Sequence, residues 1–432
     1  MAEKNFDPSE MVRGIQQLLV SDKKKIAFLF GAGTSLAKKE QDSPSIPAIG
    51  KMTELVLSHL KNDKDNGKKF ETAFAEIEEE LKQHCQSINI EALLSNVEEK
   101  IRIIGKGMLN RLNKKELSTI GEKTREKIRE IISVHKDVSG KENTLIQYDF
   151  AKWICNADRK YAVEIFTTNY DYLFEIGLEA NGVPYFDGFT GSYKPFFNAD
   201  ALDDIDYLPK QTKLWKIHGS LGLHKDIDGR IIRMSSDKDD LLIYPSSLKY
   251  NDSKKQPYSA FMDRLNLFLK QDDAVLFVCG YSFCDEHINE RILSALQTNT
   301  TAHVFVLNYD IECSKGENNK ETKSHTFSSD NNLGKLASRN RKISVLATRA
   351  AIIGGQYGEW KIRPDIDPDD PLNPSSYFKE DVTYEINPET QEQTGIQVKT
   401  GKGELLLPSF VSFVELLKSM IPKHEWEGNG GE

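Results

Sequence analysis

Short apolar runs that end in glycine or polar residues constrain the fold of this chain more than any other feature of its sequence. Runs of this length without polar alternation are typical of strands buried on both faces of a parallel sheet. Helical patterns separate several of them, which predicts an α/β fold with a mostly parallel sheet covered by helices on both faces. The runs are Ile26–Phe30, Val163–Thr167, Lys213–Ile217, Leu241–Tyr244, Ala274–Gly280, His303–Leu307 and Ile343–Thr348.

Composition excludes two broad classes of protein. Of the 432 residues, 38% are hydrophobic and 28% are charged, so the chain is not wholly disordered. Its apolar runs fall far short of the roughly 20 residues that a membrane helix needs. The charged residues 1–10 lack the apolar core of a secretory signal, so we expect a cytoplasmic protein. The net charge of −9 disfavours a chain wholly dedicated to coating nucleic acid.

The patterning predicts one large α/β domain, residues 1–350, followed by a C-terminal extension, residues 351–432. Helical periodicity dominates residues 51–138, which we interpret as an inserted helical subdomain. Residues 311–340 are polar, and we expect a long loop or mobile segment there. A helix at Ser409–Met420 is predicted to close the extension.

The five cysteines do not form a metal or disulfide pattern. They are scattered, and the sequence contains no C-x-x-C pair. Structural zinc needs four Cys or His ligands at short spacings, so we expect buried thiols of a cytosolic protein and no zinc.

A glycine turn follows the first apolar run, at Gly31, Ala32, Gly33, Thr34 and Ser35. A strand that enters Gly-x-Gly lets backbone N–H groups approach a pyrophosphate, and the two hydroxyls add donors. The dehydrogenase fingerprint is absent, because a leucine stands at its last glycine position. A tight strand–helix turn without a ligand explains the pattern equally well.

Polar residues also follow two later strands. Thr168, Asn169 and Asp171 come after one, and His218 comes after the next. An amide can hold a ribose hydroxyl or a water, and a histidine can act as a general base near neutral pH. The structural alternatives are a turn role for Asn169, a helix cap for Asp171 and a buried core position for His218.

Two more strand ends complete the set. Gly280 and Ser282 follow one strand, and Asn308 closes the next. Because the carboxyl ends of parallel strands meet at one edge of a sheet, five such ends predict one crevice for a dinucleotide.

The order of these motifs resembles the sirtuin family, whose fold is Rossmann-like. The resemblance covers roughly residues 20–350 and is closer to bacterial sirtuin-like, NAD-consuming effectors of antiphage defence than to lysine deacetylases. It implies that the glycine turn binds the NAD phosphates, that Thr168, Asn169 and Asp171 line the nicotinamide and ribose pocket, and that His218 is the catalytic histidine. Gly280, Ser282 and Asn308 then correspond to the late Gly-Ser strand end and the asparagine at the adenosine ribose.

The chain departs from the deacetylases in two respects. It lacks their four-cysteine zinc module, and Ser45-Ile46-Pro47-Ala48 only echoes their Gly-Ile-Pro-Asp-Phe-Arg segment. The resemblance therefore implies an NAD⁺ hydrolase. A protein deacylase or ADP-ribosyltransferase, and a non-enzymatic module that senses NAD or ADP-ribose, are the alternatives.

Partners are predicted mainly from the resemblance. The chain has no G-x-x-x-x-G-K-[ST] motif, and effectors of this length suggest a homo-oligomer docked on a HerA-like ring ATPase. Residues 51–138 and those beyond 355 are the expected contact surfaces, because we expect neither to contribute to the crevice. Residues 100–129 carry ten Lys or Arg against three Glu, which indicates a solvated helix face or, less strongly, a nucleic-acid patch.

Overall fold

The computed structural model describes residues 4–83, 89–235, 242, 256–315, 321–364, 373–386 and 393–422. Its centre is a ten-stranded sheet in the order β1-β16-β15-β14-β11-β10-β2-β3-β7-β4. Every pairing in this sheet is parallel except those of β15 with its two neighbours. The strands are β1 Asn5–Phe6, β2 Lys25–Phe30, β3 Glu164–Thr167, β4 Tyr185–Phe186, β7 Thr212–Lys216, β10 Ala274–Cys279, β11 His303–Asn308, β14 Ile343–Ala347, β15 Ala350–Ile353 and β16 Gln356–Trp360.

Three smaller sheets accompany the large one. One has four strands in the order β5-β6-β9-β8, and two are antiparallel pairs, β12-β13 and β17-β18. Their strands are β5 Phe189–Thr190, β6 Phe196–Phe197, β8 Leu223–Lys225, β9 Ile231–Arg233, β12 Ile311–Lys315, β13 Glu321–His325, β17 Phe378–Ile386 and β18 Gln393–Leu405.

Helices lie between most of the strands of the large sheet. They are α1 Pro8–Val20, α2 Ala32–Leu36, α3 Ile49–Lys61, α4 Gly67–Gln83, α5 Ile90–Ile103, α6 Lys114–Ile132, α7 Ile146–Asn156, α8 Leu173–Ala180, α9 Asp200–Asp203, α10 Tyr258–Leu269, α11 Glu286–Thr298, α12 Asn332–Arg339 and α13 Phe410–Ser419. Short 3-10 helices cover Val134–Asp137, Glu142–Thr144 and Pro374–Ser376.

The two faces of the large sheet carry separate hydrophobic cores. Phe28 and Phe30 of β2 point into one core, which α1, α7, α8 and α13 cover, whereas Ala27 and Leu29 point into the other, under α10, α11 and α12. Because side chains alternate along a strand, a strand covered on both faces is apolar at most of its positions. The predicted α/β architecture with a mostly parallel sheet is confirmed.

The strand order places a topological switch point at the centre of this sheet. From β2 the chain goes to β3 and β7 on one side, and it later returns to β10, β11 and β14 on the other. Ligands of open α/β sheets bind outside the carboxyl ends of the strands at such a point. Here the point lies between β2 and β10, which pair along their whole length from Lys25 opposite Ala274 to Phe30 opposite Cys279.

Helices α3–α6 confirm the predicted helical content of residues 51–138. Asn89 caps α5 as its sequence position indicates, by accepting a hydrogen bond from Ala92 N at 2.9 Å. These helices build a core of their own, and Leu221, Tyr170 and Tyr172 pack into it. This region therefore supports the loops that follow β3 and β7.

Two further regions differ from expectation. The polar residues 311–340 were expected to form a loop, but they contain the β12-β13 hairpin and α12, which Asn331 caps. Beyond residue 350, β15 and β16 extend the large sheet, and α13 packs into the same core as β2. The predicted strand Leu241–Tyr244 falls outside the described residues except for Leu242, which forms an isolated bridge with Gly219.

Among the residues that the structure describes, no helix is both long and apolar enough to cross a membrane.

Candidate active site

Two glycine turns meet at the switch point. A Cβ atom on Gly31 would lie 2.4 Å from the backbone oxygen of Gly280, and one on Gly33 would lie 2.7 Å from Gly280 Cα. Gly33 N donates to Gly280 O at 3.0 Å, and Gly31 N donates to Cys279 O at 3.0 Å. The glycines therefore allow the turns after β2 and β10 to be in contact. The backbone N–H groups of Gly31 and Gly33 donate to carbonyls at the end of β10 and in the turn after it in this structure.

The side-chain amide of Asn169 is fixed against the first glycine turn. Its Nδ2 donates to Gly31 O at 3.1 Å and contacts Thr34 Oγ1 at 3.1 Å and Ser35 Oγ at 2.8 Å. A backbone carbonyl can only accept, so the contact with Gly31 determines which end of the amide faces the turn. The amide oxygen of this buried residue is thereby directed away from that carbonyl.

A chain of hydrogen bonds links Asn169 to Asp171. Ser35 Oγ accepts a hydrogen bond from Asn169 Nδ2 and donates one to Asp171 Oδ2 at 2.7 Å. The other carboxylate oxygen, Asp171 Oδ1, accepts from Leu173 N at 3.0 Å, where α8 begins. Asp171 therefore accepts hydrogen bonds both from the first residue of α8 and from the hydroxyl that contacts the Asn169 amide.

The hydroxyls of Thr34 and Ser35 were expected to face a phosphate. They are 0% and 2% exposed, and Thr34 Oγ1 donates to Gly31 O at 2.8 Å. In this structure both side chains support the Asn169 amide. The sequence could not distinguish this arrangement from ligand binding, because either use requires a small hydroxyl residue directly after the glycines.

A buried ion pair lies beside this network. Lys216, the last residue of β7, donates to the backbone oxygen of Asp171 and to Glu175 Oε1 at 2.8 Å. Burial raises the pKa of the Glu175 carboxyl and outweighs the opposing effect of the Lys216 ammonium. Sequence reasoning missed both residues, because neither belongs to a recognisable motif: Lys216 lies within a predicted strand, and Glu175 lies within α8.

His218 contacts a carboxylate that the sequence analysis did not assign to the site. Its Nε2 lies 3.1 Å from Asp285 Oδ2, and both side chains are 7% exposed. Asp285 caps α11 through its other oxygen, which accepts from His287 N at 3.1 Å and Ile288 N at 3.4 Å. The sequence indication was its place five residues after Gly280, at the end of a strand that already carried a site motif.

The segment between Gly280 and Asp285 is held in an unusual conformation. Phe283 has φ +57°, which is rare for a bulky side chain, and its ring packs against Tyr281 at 5.0 Å between centroids. Burial raises the pKa of the Tyr281 phenol, so the hydroxyl stays protonated, and it donates to Asp285 O at 3.1 Å.

The remaining predicted residues differ in exposure. Ala32, Gly280 and Ser282 are exposed, while Thr168 and Asn308 are half-buried at the carboxyl ends of β3 and β11. The structure thus brings the two glycine turns, Asn169 and Asp171 into direct contact. Asn169 and His218 each follow, by two positions, the last paired residues of the neighbouring strands β3 and β7, which are Thr167 and Lys216.

The described part of the chain holds no group of three or more His, Cys, Asp or Glu side chains placed to bind a metal ion. Of the cysteines, Cys279 is buried as expected, but Cys155 and Cys284 are exposed, so the expectation of uniformly buried thiols is wrong for these two. Cys155 lies near the end of α7, and Cys284 lies in the segment between β10 and α11.

Comparison with known proteins supports a family for this chain. Residues 163–331 match the family model described as a SIR2-like domain, and this stretch contains Asn169, His218 and Asp285. The match supports a sirtuin-like family and suggests an activity connected with NAD, since SIR2-like domains are often NAD-dependent enzymes.

The other comparisons add no argument. No curated protein matches the chain. The solved structure of cytosolic 5′-nucleotidase IIIB bound to cytidine is similar at 10% identity and a TM-score of 0.25, over 71% of this chain and 81% of that one.

Proposed function

We propose that this protein is an NAD⁺ hydrolase that cleaves the bond between nicotinamide and ribose. The observation that supports this most is that the Asn169 amide is fixed against the first glycine turn. Asn169 follows β3, and His218 follows β7, the strand that pairs with β3. An amide oxygen accepts hydrogen bonds, so Asn169 can orient an attacking water or a ribose hydroxyl. The SIR2-like match over this stretch supports NAD as the substrate.

The chemistry needs little from the protein beyond orientation and one base. Nicotinamide leaves from a pyridinium, and the C1′–N bond breaks with its electron pair going to the ring nitrogen. The ribose carbon then resembles an oxocarbenium ion, by analogy with glycoside hydrolysis. A water oxygen bonds to C1′, and His218 takes the proton that this water loses, which gives ADP-ribose and neutral nicotinamide.

Asp171 and the glycine turns have supporting roles in this proposal. Through Ser35, the Asp171 carboxylate holds the network that orients Asn169. We propose that Gly31, Gly33, Gly280, Ser282 and Asn308 bind the rest of the dinucleotide along the carboxyl ends of β2, β10 and β11. In a cell, unrestricted hydrolysis would deplete NAD, which fits an antiphage-defence effector.

Two other functions are weaker candidates. A protein deacylase or ADP-ribosyltransferase would use the same nicotinamide cleavage, but the chain lacks the deacetylase zinc module. A module that only senses NAD or ADP-ribose would not need a buried histidine–carboxylate pair at the neighbouring strand end.

The test is nicotinamide release from NAD by purified wild-type protein and by the Asn169→Ala and His218→Ala variants. Each substitution should lower the rate by about 100- to 10,000-fold, because loss of a general base or its oriented nucleophile costs that much. Asn181→Ala is the matched control, since that amide also donates to two backbone oxygens, those of Tyr148 and Gly177, but it lies at the end of α8. Full activity with unchanged circular dichroism in either site variant would remove that residue from the mechanism.

A further inference from the structure

The carboxylate of Asp285 is held rigidly on the histidine side of the crevice. One oxygen caps α11, so the other is presented to His218 Nε2 in a fixed direction. The segment before it is tied to the same helix, because Asn289 Nδ2 donates to Phe283 O at 2.8 Å. The helix cap and the loop contact together therefore fix the position of the Asp285 carboxylate.

The contact between His218 Nε2 and Asp285 Oδ2 favours one of the two ring nitrogens as the carrier of the imidazole hydrogen. A carboxylate oxygen only accepts hydrogen bonds, so the nitrogen that faces it is the one that bears the hydrogen. The contact with Asp285 therefore favours the neutral tautomer of His218 that carries its hydrogen on Nε2 and its lone pair on Nδ1. Proton uptake at Nδ1 would produce an imidazolium whose charge lies next to the buried Asp285 carboxylate.

We propose that Asp285 is a positioning residue for His218: it selects the Nε2–H tautomer and stabilises the imidazolium after Nδ1 has taken the proton from the attacking water. This inference rests on the proposed function of His218 as the base. Asp285 itself exchanges no proton in the reaction. Its effect on the rate passes through the histidine, as in other histidine–carboxylate pairs.

Two substitutions separate this role from capping. Asn and Ser are both good N-cap residues, so we expect the urea midpoint of unfolding to stay close to the wild-type value in both Asp285→Asn and Asp285→Ser. The asparagine can turn its NH₂ group toward His218 Nε2 and favour the wrong tautomer. The serine is too short to replace the contact, but it imposes no wrong tautomer.

We expect Asp285→Asn to lower kcat for NAD cleavage by about 10²- to 10⁴-fold and Asp285→Ser by about 10- to 100-fold, with little change in KM. If Asp285 only capped the helix, both variants would keep a kcat within about threefold of wild type, and the proposal would be overturned.

A second measurement is independent of catalysis. Nitrogen-15 spectra of histidine-labelled protein, assigned with the His218→Ala variant, should show a protonated Nε2 and an unprotonated Nδ1 in wild type and the reverse in Asp285→Asn. The opposite tautomer in wild-type protein would overturn the proposal even if NAD is cleaved. Wild-type protein that has the expected tautomer but never cleaves NAD would instead contradict the proposed function.

Discussion

At the scale of single residues, the site depends on how closely two backbone turns approach. Gly31 has an ordinary extended φ of −108°, so its lack of a side chain serves the contact and not the conformation. Gly280 has φ +65° and lies against Gly33 and the backbone N of Thr34. In the same turn, Gly31 O accepts a hydrogen bond from the Asn169 amide. A change in the contact between the two turns should therefore displace the Asn169 side chain.

Gly31→Ala tests this dependence. The added Cβ would lie 2.4 Å from Gly280 O and 2.6 Å from Tyr281 Cα, both backbone atoms, so the turns must separate. We expect a loss of about 1–3 kcal/mol in the free energy of unfolding, measured in urea, because overpacking costs that much. We also expect at least about a tenfold loss of NAD cleavage, since small displacements of catalytic groups are costly.

Gly14→Ala is the control for this prediction. Gly14 lies inside α1 with nothing within 4 Å of an added Cβ, so alanine there should stabilise the protein by about 0.5–1 kcal/mol. A Gly31→Ala protein as stable and active as Gly14→Ala would show that the close contact of the turns is unimportant.

Sequence reasoning could locate most of these residues but not their partners. Strand ends follow from apolar runs, so Asn169, His218 and the glycine turns were recognisable one by one. The partners depend on the order of strands in space: Ser35 meets Asp171 across 136 positions and His218 meets Asp285 across 67. A single sequence does not determine such pairings.

At the scale of elements, the C-terminal helix α13 is part of the central core. Phe413 is fully buried, and its ring lies 6.2 Å from that of Phe28 and 5.9 Å from that of Phe277, measured between centroids. These two phenylalanines belong to β2 and β10, the strands that flank the switch point. The helix therefore covers the sheet directly beneath the candidate site.

Phe413→Ala should lower the free energy of unfolding by about 3–5 kcal/mol, because it removes a buried ring and leaves a cavity. Chemical denaturation followed by circular dichroism measures this, with Ile396→Ala as the control, since Ile396 is 58% exposed on β18. The control should change stability by no more than about 0.5 kcal/mol. A stable sheet that unfolds separately from α13, unaffected by Phe413→Ala, would favour an independent extension after residue 350.

Elements with strong apolar periodicity were predictable, and polar ones were not. Strands β2, β3, β7, β10, β11 and β14 match the predicted runs within one or two residues. The β12-β13 hairpin consists mainly of Glu, Ser, Lys and Thr with few apolar side chains, so no period-two pattern marks it. The buried Arg264, which pairs with Glu164 at 2.7 Å, was equally invisible because charge usually indicates a surface position.

At the scale of the whole molecule, the predicted partners remain proposals. We propose a homo-oligomer docked on a HerA-like ring ATPase, on the basis of the family resemblance. The basic stretch 100–129 offers less free charge than its composition suggests, since Lys123, Arg125 and Lys127 form ion pairs with Asp63, Glu98 and Glu130. This favours a solvated, internally paired helix face over a nucleic-acid patch for that part of the stretch.

The most direct test of the central claim is the fate of NAD when it is incubated with purified wild-type protein, followed by proton NMR. We predict that nicotinamide and ADP-ribose appear in equal amounts, and that both are absent with His218→Ala. In ¹⁸O-labelled water, the new hydroxyl on the ribose carbon should carry the label. NAD that remains intact both with the protein alone and after its proposed ATPase partner is added would contradict the account.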